Sequence, residues 1–262
     1  MSKMPKIIQG KFRILDNRKV GRGYFRMAIA APRIAKAARP GQFVLLRCSN
    51  GPEPLLRRPF SFHRLRKNSF ELLYKVVGRG TNLLSKKKKA DTIDVLGPLG
   101  NGFNLRSPAI LVAGGMGVAP LVALAEQLAD RKQILVFIGA RTKQEVLCRQ
   151  DFKRLGLKVH IATDDGSLGY KGLVTGLLKK ILLRTTNYEL RTTIYACGPK
   201  PMLKELSQIG RRSGMTTYGS LEENMACGVG ACLGCAVSTT SGYKKVCSDG
   251  PVFNLQEINW EQ

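Results

Sequence analysis

Over the first hundred residues, apolar, β-branched and aromatic positions come in short bursts without the i, i+3, i+4 rhythm of a helix. Stretches 11–15, 23–30, 42–47, 60–65 and 69–77 read as strands, set apart by the turn-favouring Asn17, Pro40-Gly41, Asn50-Gly51-Pro52 and Lys67-Asn68. This spacing predicts an antiparallel β-barrel of about six strands. The pattern changes after the Gly97-Pro98-Leu99-Gly100-Asn101-Gly102 turn. Residues 109–113 (AILVA) form an unbroken apolar run, as expected of a parallel strand covered on both faces. Leu121, Leu124, Ala125 and Leu128 then recur at helical spacing. Stretches 134–139, 159–163 and 193–196 continue the strand series, with helical segments between them, one carrying Met202, Leu206 and Ile209 on a single face. The alternation predicts a doubly wound, open parallel sheet. Three parts follow: a barrel over 1–104, an α/β unit over 105–218 and a cysteine-rich segment over 219–262.

Composition supports that division. A chain of 262 residues with 44% hydrophobic content exceeds the usual single domain and can fill more than one core. It has no run of 18 apolar residues, and the start MSKMPKIIQGKFRIL lacks the apolar core and cleavage site of a signal peptide, so a cytoplasmic protein with no membrane span is expected. The 43 Lys and Arg against 18 Asp and Glu give a net charge of +25, which by itself suits nucleic acid, an anionic membrane or an acidic protein. The basic residues are scattered, however. The one homogeneous run, Lys86 to Lys89, has no interleaved aromatic side chains and reads as a solvated loop, which argues against a nucleic-acid partner.

The chemistry concentrates near the end of the chain. Stretch 225–247, MACGVGACLGCAVSTTSGYKKVC, places Cys227, Cys232, Cys235 and Cys247 at the spacing C-x4-C-x2-C-x11-C, the plant-type pattern for a [2Fe–2S] cluster. Gly228, Gly230 and Gly234 let the loop wrap closely and turn backbone N–H groups toward the sulfurs. A structural zinc site would more naturally show two separated C-x2-C pairs, and only Cys232 and Cys235 form one. A disulfide framework belongs to short secreted chains. Of the seven cysteines, Cys48, Cys148 and Cys197 remain and are expected to stay reduced.

Five further motifs lie upstream. Arg57-Arg58-Pro59-Phe60-Ser61-Phe62 offers a guanidinium for a pyrophosphate and a hydroxyl for a flavin edge, with an exposed basic strand end as the alternative. Gly78-Arg79-Gly80-Thr81 runs into a helix start whose free N–H groups suit a phosphate, or it is an ordinary capped turn. Ala113-Gly114-Gly115-Met116-Gly117-Val118-Ala119-Pro120 sits between a strand and a helix, where a dinucleotide loop belongs, although Pro120 stands where a third glycine would be. Cys197-Gly198-Pro199-Lys200-Pro201-Met202, at another strand end, is expected to border the same crevice, with Cys197 either lining it or packed beneath it. Thr163-Asp164-Asp165-Gly166-Ser167 is suited to a ribose or phosphate. His63 and His160 read as structural, and no nucleophile–base or paired-carboxylate signature is present, as fits chemistry carried by cofactors.

In this order RRPFSF, GRGTNLL, GPLGNGF, AGGMGVAPL, TDDGS and CGPKPM resemble the ferredoxin-NADP reductase superfamily, and the ending SLEENMACGVGACLGCAVSTT…YKKVCSDGPVF narrows the resemblance to the electron-transfer subunits of type B dihydroorotate dehydrogenases. The resemblance spans nearly the whole chain. It implies an FAD-binding barrel with the flavin held by Arg58, Pro59, Phe60, Ser61, Gly80 and Thr81. It implies an NAD site on the second unit at Gly115, Gly117, Cys197 and Gly198, and a [2Fe–2S] cluster on Cys227, Cys232, Cys235 and Cys247. It further implies a separate FMN-containing catalytic subunit that oxidises dihydroorotate for pyrimidine synthesis, joined in a heterotetramer of two copies of each chain, with electrons passing through the cluster and FAD to NAD+. Orotate chemistry is thus expected elsewhere. The alternative is an FAD/[2Fe–2S] NAD(P)H reductase subunit of another complex, hydrogenase-type or ferredoxin-linked. Two features depart from the pattern: Phe60 stands where the superfamily often has tyrosine, and the +25 charge is high for such a subunit and marks either an unusual host or a mostly acidic partner.

Overall fold

The computed structural model describes residues 7–49, 51–128, 133–183 and 192–260. Seven antiparallel strands form the first sheet: β1 (Ile8–Gly21), β2 (Tyr24–Ala30), β3 (Phe43–Arg47), β4 (Arg58–Ser61), β5 (Arg64–Leu65), β6 (Ser69–Lys75) and β7 (Thr92–Leu99). They run in the order β4-β3-β7-β1-β2-β6-β5. The two edge strands are consecutive in the chain. Phe62 N–H donates to Gln42 O at 3.2 Å and His63 N–H donates to Glu71 O at 2.8 Å, so the edges meet there and the sheet closes on itself. Helix α1 (Pro32–Ala37) follows β2, and α2 (Arg79–Lys86) follows β6. Ile14, Met27, Ile29, Leu72 and Val95 fill the interior, where Phe62 meets Phe70 edge-on at 5.1 Å.

Seven strands rather than six have two physical origins. The expected strand over 60–65 is two, because the chain changes partner at Phe62–His63, from β3 to β6. Strand β7 contains the Gly97-Pro98 pair that reads as a turn in the sequence. Pro98 has no N–H to give a ladder, and it falls where the β3–β7 register shifts between Phe43 and Leu45. A Cβ on Gly97 would lie 2.8 Å from Val44 Cγ1, so the close approach there needs glycine.

The second sheet contains β8 (Ala109–Gly114), β9 (Ile134–Ala140), β10 (Lys158–Thr163), β11 (Tyr170–Lys171), β12 (Thr193–Cys197) and β13 (Thr217–Ser220). Helices α3 (Val118–Gln127), α4 (Arg149–Arg154), α5 (Val174–Leu182) and α6 (Lys200–Ser213) cover it. Beyond β13, β14 (Ala236–Thr239) and β15 (Gly242–Lys245) form a hairpin, and β16 (Val252–Asn254) returns to pair antiparallel with β13. The order β11-β10-β9-β8-β12-β13-β16 reverses direction between β8 and β12. That reversal is where open α/β sheets bind ligands, beyond the carboxyl ends of the strands. Alternate residues of β8 serve opposite cores: Leu111 and Ala113 pack under α3, and Ile110 and Val112 pack on the α5–α6 face. On α6 the buried residues are Leu203, Leu206 and Ile209, while Met202 is half-buried and turns toward the glycine loops.

The cysteine segment is not appended to the α/β unit alone. Cys235, Val246 and Cys247 share a core with Phe43, Leu45 and Leu99 of the barrel as well as with Leu206 and Ile209. A Cβ on Gly228 would overlap Leu45. Asn101, in the motif that reads as an interdomain turn, donates from its backbone N to Gly250 O at 2.5 Å and from Nδ2 to Ser248 O and Asp249 O at 3.1 and 3.0 Å.

Ion pairs and one histidine join the barrel to the α/β unit. Arg64 on β5 reaches Asp151 at 2.5 Å and Glu126 at 3.2 Å, and Arg66 also holds Glu126, at 2.8 Å. His63, 1% exposed, points Nδ1 at Ala119 O, 3.0 Å away on α3. Burial pushes the His63 pKa down, and burial followed by Lys158 does the same to His160, which stacks on Phe137. Below pH about 6.5 the unfolded chain therefore takes up protons that the folded chain refuses, and stability falls with acidification. Between pH about 7 and 5 the wild-type Tm is expected to drop, and the His63→Gln variant to drop less steeply, as read by calorimetry at a series of pH values. Equal slopes would contradict a buried neutral His63.

Candidate functional site

Both sheets and the chain leading to the cysteines open onto one cavity of ≈ 560 Å³. Its barrel wall carries Arg58, Pro59, Phe60, Ser61, Tyr74 and Thr81, its α/β wall Met116, Ala119 and Pro120, and its third wall residues 220–225. A volume of this size accepts the ring system of a flavin. The two adjacent arginines divide the work. Arg57 turns away and grips Asp94 with two bonds, 3.0 and 2.9 Å, from an 18% exposed side chain. Arg58 faces the cavity, its guanidinium held by Leu56 O at 2.7 Å.

Gly80 lies directly behind Arg58: a Cβ there would sit 3.5 Å from Arg58 Nε and 3.3 Å from Cys48 Sγ. The RRPFSF and GRGTNLL motifs, separate in sequence, are therefore side by side, as two sides of one diphosphate require. The Thr81 hydroxyl is engaged with its own turn, accepting from Val77 N at 2.9 Å and Gly78 N at 3.2 Å. The first-turn N–H groups of α2 precede its hydrogen-bond ladder, which opens with Asn82 N to Gly78 O, and are the donors left for an anion. Tyr74 went unnoticed in the sequence. Its hydroxyl donates to Asn17 Oδ1 at 2.9 Å, it stacks on Phe25 at 5.7 Å and meets Phe60 edge-on at 5.8 Å, and burial raises its pKa to about 12, so it stays a neutral aromatic wall.

The nucleotide loops separate in role. Gly117 is glycine because a Cβ would overlap the Cys197 carbonyl, so the loop after β8 and the turn after β12 touch backbone to backbone. Gly198, at φ +156, would in the same way crowd Gly114 Cα at 3.0 Å. Gly115 differs: at φ +54 it has nothing within 4 Å of its missing Cβ and faces open space. Cys197 is 2% exposed and lies beneath the crevice, with burial raising its pKa. In the TDDGS motif Asp165 accepts from Ser167 N and Oγ at 2.9 and 2.6 Å, and Ser167 Oγ accepts from Lys143 N at 2.8 Å. Thr163 is fully buried and bonds within the same turn, with Oγ1 donating to Leu168 O at 3.0 Å. Those three side chains shape their own turn, and Asp164 is exposed beside them.

The four cysteines form two pairs. Cys227 and Cys232 have sulfurs 3.4 Å apart and half-buried side chains. Cys235 and Cys247 are buried and adjacent, with Cys247 N donating to Cys235 Sγ at 3.4 Å. Four thiolates around one zinc at the usual 2.3 Å bond length would lie about 3.8 Å apart throughout. Among the described residues, the only set of three or more potential ligands within 4.8 Å of one another is His63, Cys148 and Asp151, and there Arg64 already supplies the cation. Two pairs suit two irons. Backbone donors reach the sulfurs as well: Gly230 N to Cys247 Sγ at 3.2 Å and Cys232 N to Cys227 Sγ at 3.4 Å. Burial opposes ionisation of Cys227, but the N–H groups of Cys232 and Val229, the Cys232 thiol and the N–H of Ala231 together outweigh it and bring the pKa to about 6. Cys247 is held up at about 12, chiefly by burial and then by Cys235. Cys227 can thus open metal capture as thiolate, and a bound cation then favours ionisation of the buried ligand.

The paired arginines give a contrast that can be measured. Arg57→Ala is expected to lose about 1–3 kcal/mol in denaturant unfolding, because Asp94 is left unpaired. Arg58→Ala is expected to unfold like wild type as apoprotein yet to retain less FAD after gel filtration; undiminished FAD content would remove Arg58 from the site.

Comparison with known proteins agrees with this geometry. Residues 111–208 match the family described as the oxidoreductase NAD-binding domain, and residues 222–259 match the iron-sulfur cluster binding domain of dihydroorotate dehydrogenase B. The dihydroorotate dehydrogenase B (NAD(+)) electron transfer subunit of Desulforamulus reducens is 43% identical, over 98% of this chain and 100% of its own. That of Bacillus caldolyticus is 40% identical, over 94% and 96%. Among solved structures, the NADH-dependent reduced ferredoxin-NADP oxidoreductase, studied for flavin-based electron bifurcation, aligns with a TM-score of 0.84 at 34% identity, over 95% of this chain and 90% of that one. The Neisseria gonorrhoeae ferredoxin NADP+ reductase with bound FAD and NADP shares the fold, at a TM-score of 0.67 and 20% identity, over 83% and 95%. With a ferredoxin-NADP reductase fold and a cluster segment joined to it, this chain belongs to the family of dihydroorotate dehydrogenase B electron transfer subunits.

Proposed function

We propose that the chain is the electron-transfer subunit of a dihydroorotate-oxidising enzyme of pyrimidine synthesis, relaying electrons from the FMN of a separate catalytic subunit by way of a [2Fe–2S] cluster and FAD to NAD+. When bound, the cluster supplies single-electron exchange and FAD the conversion of single electrons to the hydride that nicotinamide accepts. The observation that carries the reading is the third wall of the cavity: Met225 lines it, and Cys227 follows two residues later. Two residues reach at most about 7 Å, so the flavin cavity and the cluster loop adjoin.

Within this reading Arg58 and the α2 N-terminus hold the flavin diphosphate, Pro59, Phe60 and Ser61 lie along the ring system, and Gly80 lets α2 approach Arg58. Gly115 and Gly198 border the NAD crevice, while Gly117 and Cys197 shape its floor. Lys200, paired with Glu223 at 2.6 Å, ties the nucleotide turn to the third wall. The chain divides as 1–104 for FAD, 105–218 for NAD and 219–262 for the cluster, although β13 and β16 bind the last part into the second sheet. The partner is a catalytic chain with an acidic docking surface matched to the +25 charge, in a heterotetramer of two of each. A cytoplasmic setting keeps the thiols reduced, and among the described residues no helix is long and apolar enough to cross a membrane.

The likeness to the ferredoxin-NADP oxidoreductase, at 34% identity, favours a second reading in which the same cofactors serve a ferredoxin-linked complex. Co-expression with a dihydroorotate-oxidising chain decides between them. A stable complex that reduces NAD+ with dihydroorotate is expected; no complex, together with NAD(P)-dependent ferredoxin reduction, supports the second reading. In the assembled enzyme Cys232→Ser is expected to abolish dihydroorotate-dependent NAD+ reduction while NADH-to-dye activity through FAD stays within about twofold of wild type. Unchanged coupling would remove Cys232 from the ligand set.

A further inference from the structure

The turn that follows the last cysteine is held from every side. Lys245 N donates to Asp249 Oδ2 at 2.6 Å, Ser248 N to Lys245 O at 3.2 Å, and Asn101 takes up the carbonyls of Ser248, Asp249 and Gly250. Lys245 Nζ crosses to Gly230 O at 2.7 Å and fixes the loop opposite. Within this turn the Ser248 hydroxyl is exceptional: Oγ is buried and has no hydrogen-bond partner. Three other buried side-chain atoms among the described residues share that state, on Arg64, Glu71 and Arg149, and all belong to charged side chains outside the cysteine segment. A neutral hydroxyl is easily left in water, so one buried without a partner calls for an acceptor.

The position of Ser248 indicates which acceptor. It is the residue after Cys247, and it packs against Gly230: a Cβ on Gly230 would lie 3.1 Å from Ser248 Cβ and 3.2 Å from Oγ. Gly230 is also the residue whose N–H donates to Cys247 Sγ at 3.2 Å. Hydroxyl and amide thus flank Gly230 beside Cys247; none of the cysteine sulfurs accepts from the hydroxyl, and a sulfur of the bound cluster would be the acceptor.

We propose that Ser248 donates its hydroxyl proton to a cluster sulfur on the Cys247 side and thereby raises the reduction potential of the cluster. The proton stays on oxygen in both redox states; the bond strengthens when the sulfur becomes more electron-rich, which favours the reduced form. Lys245 supports the arrangement by holding Gly230 against Ser248. This inference rests on the cluster reading above.

The test compares reconstituted wild type, Ser248→Ala and Ser248→Thr in redox titrations followed by electron paramagnetic resonance, with iron and labile sulfide counted in each. Ser248→Ala is expected to keep wild-type iron and sulfide and to titrate at a more negative potential, and Ser248→Thr, which restores a hydroxyl, to titrate with wild type. A Ser248→Ala potential equal to that of wild type overturns the proposal. Should Ser248→Ala fail to hold a cluster, the reduced wild type moved briefly into D2O must show, by electron-nuclear double resonance, a cluster-coupled deuteron that exchanges faster than buried amides do; its absence overturns the proposal equally. Wild type without iron or sulfide defeats the cluster reading itself, a result distinct from a bound cluster whose potential ignores Ser248.

Discussion

The structure depends on a single continuity of chain. The segment that closes the cavity between the two sheets is also the lead into the first cysteine, so the place of the cysteine loop is tied to a wall of that cavity. That lead is anchored at both ends. Before it, β13 pairs parallel with β12 and antiparallel with β16 inside the second sheet; after it, Gly228 presses on Leu45 of the barrel, and Asn101 clasps the turn beyond Cys247. Three parts that share one hydrophobic core are thereby held in one register around a junction where electrons would have to cross.

Glycine makes the junction possible. At Gly117, Gly198 and Gly228 a side chain would collide with a neighbouring segment, whereas at Gly115 it would meet nothing. Glycines that look alike in sequence therefore answer to different constraints: Gly117 and Gly198 permit backbone to approach backbone, Gly228 admits the Leu45 side chain, and Gly115 faces open space. The same division separates Arg57, committed to Asp94, from Arg58, which faces the cavity. It also separates Asp165, tied to Ser167, from the exposed Asp164.

Much of this was legible in the sequence where one residue type forces one geometry. The apolar run at 109–113 predicts the covered parallel strand that β8 forms, and the C-x4-C-x2-C spacing predicts a loop that gathers its cysteines, which stand there as two pairs. What stayed hidden depends on partners far away in the chain. Strand β7 was masked by Gly97-Pro98, which reads as a turn until a register shift against β3 accommodates it. Tyr74 gave no local signal, because its place in the cavity wall is set by Asn17, Phe25 and Phe60. The docking of the cysteine segment on the barrel was equally invisible, since Asn101 and Ser248 lie 147 residues apart.

The central claim is that the cysteines act as two pairs holding two irons beside a flavin. Metal, labile-sulfide and flavin analysis of the anaerobically reconstituted chain, with Mössbauer spectroscopy on ⁵⁷Fe, addresses it most directly. About two irons and two sulfides per FAD are expected, both irons tetrahedral in sulfur, as the [2Fe–2S] assignment demands. A single tightly held zinc or iron without labile sulfide would contradict it.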